Sequence, residues 1–230
     1  MIVIGIGHKA RNGKDTAGEA IKAHYDQQAD LLGHHGLRGG LKVSIVKFAT
    51  ALYQEVNEFL AIQKSFDYST AELFKMGIRE VRGGEIVVEA LPDWVQPDPN
   101  PEVTPMAPYG KHPNLLVWWG TEYRRAQDPD YWVKRAFQSI PKDTNIAVIT
   151  DVRFKNEAAA IKARGGHLIE VVRLNEDGTR FYSDDRPQDH VSESELDGYN
   201  WDHYIKTKYA AETAEQAVTI AEFIRTLETK

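Results

Sequence analysis

The chain has no cysteine among its 230 residues, and that absence removes several chemistries at once. Disulfide staples, thiolate metal sites, a cysteine nucleophile and iron–sulfur ligation all lack the atom they need. A cysteine-free chain fits a reducing compartment, so a cytoplasmic location is the expectation. Long apolar runs are missing too. The apolar stretch at residues 1–6 is far shorter than the hydrophobic region of a signal peptide, and nothing approaches the roughly 18 apolar residues of a membrane span. The chain therefore reads as soluble, with no membrane partner. Excess positive charge is the third absence: 28 Lys and Arg stand against 34 Asp and Glu, a formal net charge of −6. Affinity for a nucleic-acid backbone needs clustered basic residues. Direct nucleic-acid binding is therefore not expected, while local basic sites stay open.

What is present suffices for one core. At about 150 residues per domain the length suggests one large domain with an insertion, and such a chain removes about 70 to 75 % of its unfolded surface from water. Residues 2–6 are a short β-rich run that reaches glycines at once, and residues 16–29 read as a helix with Ala17, Ala20, Ile21 and Tyr25 on one side. Residues 32–40 carry four of the 17 glycines and read as a loop; 42–48 is a second strand and 50–62 a helix. This strand, helix, strand rhythm belongs to a parallel sheet. Between positions 92 and 113 sit seven of the ten prolines, which predict a surface excursion without helix or internal strand. Residues 115–126 and 130–140 look helical, and 145–150 is a buried strand that ends on Asp151. A helix at 155–164 stops at Gly165 and Gly166, and 167–174 is another strand. Residues 175–189 are polar around an Asp177-Gly178 turn, 203–206 is a last strand, and 210–228 is an amphipathic helix. His24, His34 and His35 have no spacing that a metal site uses and read as loop histidines.

The strongest chemical signal is Gly7-His8-Lys9-Ala10-Arg11-Asn12-Gly13-Lys14-Asp15-Thr16, placed between the first strand and the first helix. Backbone N–H groups of such a loop, with the positive end of the helix dipole, solvate phosphate oxygens, and a lysine reaches the terminal phosphates. His8 stands where the G-x-x-x-x-G-K pattern has its first glycine, and Asp15 separates Lys14 from the hydroxyl of Thr16. The plainer reading is a glycine turn that caps a helix. A phosphate loop also calls for a magnesium ligand, usually an Asp at the carboxyl end of a neighbouring strand, and Asp151 supplies it; a simple helix cap is the competing reading. The arginines follow from there. Arg124 and Arg125 are adjacent on a predicted helix, Arg153 lies beside Asp151, and Arg180 and Arg186 lie in the polar segment. In an acidic chain, guanidinium groups around a phosphate loop suggest a second phosphate. Trp118, Trp119 and Trp132 could stack on a base, although aromatics at helical spacing are more often core.

At this point the chain resembles the deoxynucleoside monophosphate kinases of tailed bacteriophages, relatives of the adenylate-kinase type of P-loop phosphotransferase. The resemblance rests on residues 9–16 with their Gly-Lys-Asp-Thr ending and on Trp119-Gly120-Thr121-Glu122 with Arg124 and Arg125. It also rests on Asp130-Tyr131-Trp132, on Thr150-Asp151-Val152-Arg153-Phe154 with Asn156-Glu157, and on His190 with Ser192-Glu193. The pieces run in order over about residues 1–205, and the span 92–113 has no match. The resemblance implies an α/β, three-layer P-loop fold in which a parallel sheet is flanked by helices. It would be a single domain over residues 1–230, with an acceptor-side helical insertion at about 63–140 and a small lid at about 175–190. It implies transfer of the terminal phosphoryl group of ATP, with Mg²⁺, to a deoxynucleoside 5′-monophosphate, and a homodimer as a possible assembly. Lys9, Arg11, Asn12, Gly13, Lys14, Asp15 and Thr16 would hold the donor, with Arg180 and Arg186 from the lid; Thr16 and Asp151 would hold the metal. Trp119, Glu122, Arg124, Arg125, Trp132 and Arg153 would meet the acceptor, with Lys14, Arg124, Arg125, Asp151 and Arg153 in catalysis. Two alternatives stay open: a P-loop kinase for dephospho-coenzyme A or a nucleoside, and a non-catalytic nucleotide-binding regulator. The chain has no Asn-Lys-x-Asp guanine signature, no G-x-S-x-G elbow and no His-Glu-x-x-His.

Overall fold

The computed structural model describes residues 1–35, 39–184 and 188–228, with the backbone alone at 63 and 64. Ile2–Gly7 (β1) is buried from Val3 onward, as a central parallel strand requires. Lys14–His34 (α1) starts earlier and runs further than the predicted 16–29, so His24 and His34 are helical, which corrects the loop reading. Val43–Val46 (β2) is shorter than predicted because Phe48 already opens Phe48–Phe66 (α2). Thr70–Met76 (α3) carries a capping box, Ser69 accepting from Glu72 N while Glu72 accepts from Ser69 N. A hairpin follows, Ile78–Arg82 (β3) and Glu85–Glu89 (β4), turned by Gly83 and Gly84, both at positive φ.

The proline-rich span forms a second hairpin, Glu102–Thr104 (β5) with Ala107–Lys111 (β6). In a two-stranded hairpin each strand is an edge, which is where a strand tolerates Pro108. Val95 and Ala107 are buried there, so the predicted surface excursion is corrected to a small packed hairpin. Pro113–Val117 (α4), a π-helical turn at Trp118–Tyr123 and Arg124–Gln127 (α5) replace the single helix predicted for 115–126. The later elements follow expectation in type: Tyr131–Ser139 (α6), Ile146–Val152 (β7), Lys155–Lys162 (α7), His167–Arg173 (β8), and, after the short helical turn Val191–Ser194 (α8) that the sequence reading did not foresee, His203–Thr207 (β9) and Ala210–Glu228 (α9).

The chain divides into two compact units, Met1–Phe48 with Val133–Lys230, and Ala49–Trp132. The first is α/β, a five-stranded parallel sheet in the order β2-β7-β1-β8-β9 flanked by helices. Side chains alternate across a strand, so Ile4 and Ile6 of β1 face one side with Ile21 and Tyr25 of α1 and Ala217 and Ile224 of α9. Gly5 faces the other side, where an added Cβ would meet Ile161 of α7. Each fully buried Ile in this core contributes about 1.5–3 kcal/mol. Gly18 lets α1 lie directly on β7: a Cβ there would run into the Thr150 methyl.

Connections from neighbouring strands leave on opposite faces. From β1 the chain crosses β7 through α1 to reach β2, while from β7 it crosses β1 through α7 to reach β8. The carboxyl ends of β1 and β7 thus flank a crevice, the place where open α/β sheets take ligands. The second unit holds both hairpins, α3 to α5 and the rest of α2 around Phe59, Leu60, Leu73, Leu115 and Trp119. Among the described residues no helix is long and apolar enough to cross a membrane.

Candidate functional site

The loop after β1 is held by its neighbours on several sides. Gly13, at φ 94° and ψ 17°, sits in the left-handed region that glycine adopts without a Cβ penalty, and it turns the chain directly into α1. No side chain caps that helix start, which leaves its positive dipole end suited to an anion. Asn12 is buried and braces the loop: Nδ2 donates to Ala10 O at 2.8 Å and Oδ1 accepts from Arg173 N at 2.8 Å. Lys9 is buried as well, with Nζ 2.6 Å from Glu193 O and 2.9 Å from Asp197 Oδ1. His8 Nδ1 lies 3.5 Å from Glu170 Oε1, the oxygen that also pairs with Arg180 at 2.8 Å. Burial pushes the Glu170 carboxyl up, but hydrogen bonds from His8 and Arg180 outweigh it and hold the group below the usual carboxylate range.

Lys14 opens α1 with its ammonium folded back to donate to Lys9 O. Burial pushes its pKa down and Arg153 adds repulsion; Glu193, Asp15 and Asp151 oppose them, and the outcome is about 7. Desolvation outweighs those three carboxylates, and a phosphate at the start of α1 would favour the charged ammonium further.

Across the crevice, Asp151 lies within β7 rather than just beyond it. Its Oδ1 accepts from Phe48 N at 2.8 Å, so the carboxylate caps the start of α2. The cap reading is therefore true of α2, not of the helix that follows Asp151. Asp15 Oδ1 accepts from Thr150 Oγ1 at 2.8 Å and pairs with Lys47 Nζ at 2.7 Å. Burial raises the Asp15 pKa, but the bonds from Lys47 and Thr150 prevail and keep it low. Thr16 is half-buried on the first turn of α1. Arg153 is held twice. Its backbone N–H donates to Glu157 Oε2 at 2.8 Å, and Nη1 pairs with the Glu193 carboxylate and donates to Ser192 O at 3.3 Å. Among the described residues no three histidine or carboxylate side chains group to hold a metal ion. Arg11 is exposed at φ 52°, and Arg186 lies outside the described residues.

The remaining sequence-predicted residues lie in the second unit. Arg124 is bound on two sides, Nε to Glu55 Oε2 at 2.6 Å and Nη2 to Glu80 Oε1 at 2.7 Å, and its guanidinium lies 5.0 Å from the Tyr123 and Tyr131 ring centres. Glu55 also accepts from Trp119 Nε1 at 3.0 Å and from the Tyr131 hydroxyl. Trp119 and Trp132 are buried, the latter donating to Gly120 O at 2.8 Å. Arg125 Nη1 donates to Pro129 O at 3.4 Å, and Glu122 is exposed. Sequence reasoning missed Glu55, Glu80, Glu170 and Asp197; Glu55 and Asp197 lie far along the chain from Arg124 and Lys9, while Glu170 is ten positions from Arg180. No protein-family model matches the chain, and no curated protein matches it.

Proposed function

We propose that the chain is a P-loop phosphotransferase of the adenylate-kinase-like type, which moves the terminal phosphoryl group of ATP to a deoxynucleoside 5′-monophosphate. One observation carries the reading. A parallel central strand passes through a glycine-turned loop into a side-chain-uncapped helix, whose first residue is a buried lysine. A loop of that kind receives polyphosphate oxygens on its backbone N–H groups. Lys14, Gly13 and the first turn of α1 hold the donor in this reading. Lys9 and Asn12, which are bound to Glu193, Asp197, Ala10 and Arg173, keep the loop in shape.

Thr16 and Asp151 offer a hydroxyl and a carboxylate oxygen, a hard donor set that suits a magnesium ion sharing substrate phosphates. When bound, that ion neutralises charge on the phosphates. Arg153 stabilises charge on the moving group. Arg125 takes the acceptor phosphate in this reading, since Arg124 is already tied to Glu55 and Glu80. No strong base is needed, because a monophosphate oxygen with a second pKa of about 6 is mostly ionised at neutral pH. A nucleoside acceptor would need a carboxylate to take its hydroxyl proton. Glu55 already accepts three donors, which disfavours that alternative.

The deciding experiment is ADP release from Mg-ATP in the presence of each deoxynucleoside monophosphate, of dephospho-coenzyme A and of nucleosides. Release with a monophosphate at a stoichiometry of one diphosphate per ADP is the expected result. Turnover confined to the other acceptors would move the assignment to them. ATP binding without any turnover would leave a regulator.

A further inference from the structure

Glu193 carries a charge that is 1 % exposed, and the donor and acceptor assignments give it no task. Its Oε2 accepts from Ala10 N at 2.8 Å, and its other oxygen pairs with Arg153 Nη1. The backbone of the same turn contributes further: Glu193 O accepts from Lys9 Nζ at 2.6 Å and Ser192 O from Arg153 Nη1 at 3.3 Å. Two residues on, Glu195 Oε1 accepts from Lys155 N at 2.8 Å. The turn α8 thus grips the loop after β1 and the connection after β7, the two pieces of chain that flank the crevice. Removing a carboxylate from water is costly, yet both of its oxygens accept here, one from the Ala10 amide and one from a guanidinium, which a neutral amide with one acceptor oxygen cannot do. The charge serves in addition to hold a cation in one orientation. The cation here is Arg153, and fixing Nη1 sets the plane of its guanidinium and the direction of its other N–H groups.

We propose that Glu193 is a positioning residue for the phosphoryl transfer: it locks the Arg153 guanidinium and the Ala10 amide into one frame before nucleotide arrives. The inference rests on the phosphotransferase reading, and it concerns a residue that touches neither substrate.

The test compares wild type, Glu193→Gln and Glu193→Asp as full chains. Amide exchange at Ala10 is read in the ligand-free protein, and kcat and KM for Mg-ATP are read separately. In Glu193→Gln, Ala10 should exchange about tenfold faster while β1 and β7 keep their protection. Its kcat should fall about 100-fold, with KM for ATP changed by less than about threefold, as misalignment of a transition-state group predicts. Glu193→Asp keeps the charge and should recover kcat to within about tenfold of wild type. Unchanged exchange and kcat in Glu193→Gln would overturn the proposal, as would equal impairment of both variants. Loss of protection throughout the sheet would make Glu193 a folding residue and overturn it too. Absence of turnover in wild type sinks the phosphotransferase reading itself, whereas wild-type turnover with an unaffected Gln variant sinks the positioning role alone.

Discussion

Asp151 Oδ1 and Phe48 N are 2.8 Å apart, so the carboxylate at the end of β7 also decides where α2 begins. The cap and the proposed metal-holding role can be separated by substitution. Asp151→Asn keeps an acceptor oxygen for the Phe48 amide but loses the charge, so its thermal midpoint should stay within about 3 °C of wild type. Magnesium-dependent turnover should drop by about 100-fold or more. Asp151→Ala loses the cap as well, and urea unfolding should show an additional cost of about 1 kcal/mol. Equal stability of the two variants would remove the capping role.

Lys14 is expected to separate stability from activity. Its ammonium is desolvated and depressed to about 7, so the folded state gains little from the charge. Lys14→Met should reduce turnover by about 100- to 1,000-fold with a thermal midpoint equal to or above that of wild type. Near-normal turnover would withdraw the phosphate-loop assignment.

The adjacent arginines should behave unlike each other. Arg124 closes a cluster with Glu55 and Glu80 in which its side chain is 13 % exposed. Arg124→Ala removes the cation that Glu55 and Glu80 share, leaving Glu80 to Arg82, and should cost about 3 kcal/mol in chemical denaturation. Arg125→Ala should leave stability within about 0.5 kcal/mol and instead raise the KM for the monophosphate. The assignment of the acceptor phosphate to Arg125 fails if only the ATP parameters move.

Acid should loosen the sheet through Glu170 of β8, which lies between β1 and β9. Its folded pKa lies below the unfolded value, so the unfolded chain binds the proton more readily and stability falls as protons are added. The contribution is fully present above the unfolded value of about 4.3 and is lost as pH falls through the folded one. Urea midpoints measured between about pH 6 and pH 2 should therefore decline less steeply in Glu170→Gln than in wild type. Parallel curves would show that Glu170 does not drive this limb.

Four of the five sheet strands are legible as apolar runs next to a glycine, proline or polar break, as at 2–6 and 145–150, while β9 at His203–Thr207 alternates instead. The hairpin of β3 and β4 is harder to read, since Val81, Ile86 and Val88 are exposed and burial does not impose an apolar pattern on them. Its one local signal is the Gly83-Gly84 pair. Nothing local announces the π-helical turn at Trp118–Tyr123, although it changes the helical register just ahead of Arg124. The loop, Lys14 and Asp151 carry local signatures. Their partners do not: Glu193 meets Ala10 across 183 positions of sequence and Glu55 meets Arg124 across 69, and only folding brings such pairs together.

The bare backbone at Gly18 bears on how the crevice can move. Because α1 rests there against Thr150, one position before Asp151, the start of α1 and the end of β7 share a close seat. A methyl group at that point would act as a shim, prising lysine and aspartate apart. Helix and strand are thereby tied at one point, just behind the segments that carry Lys14 and Asp151.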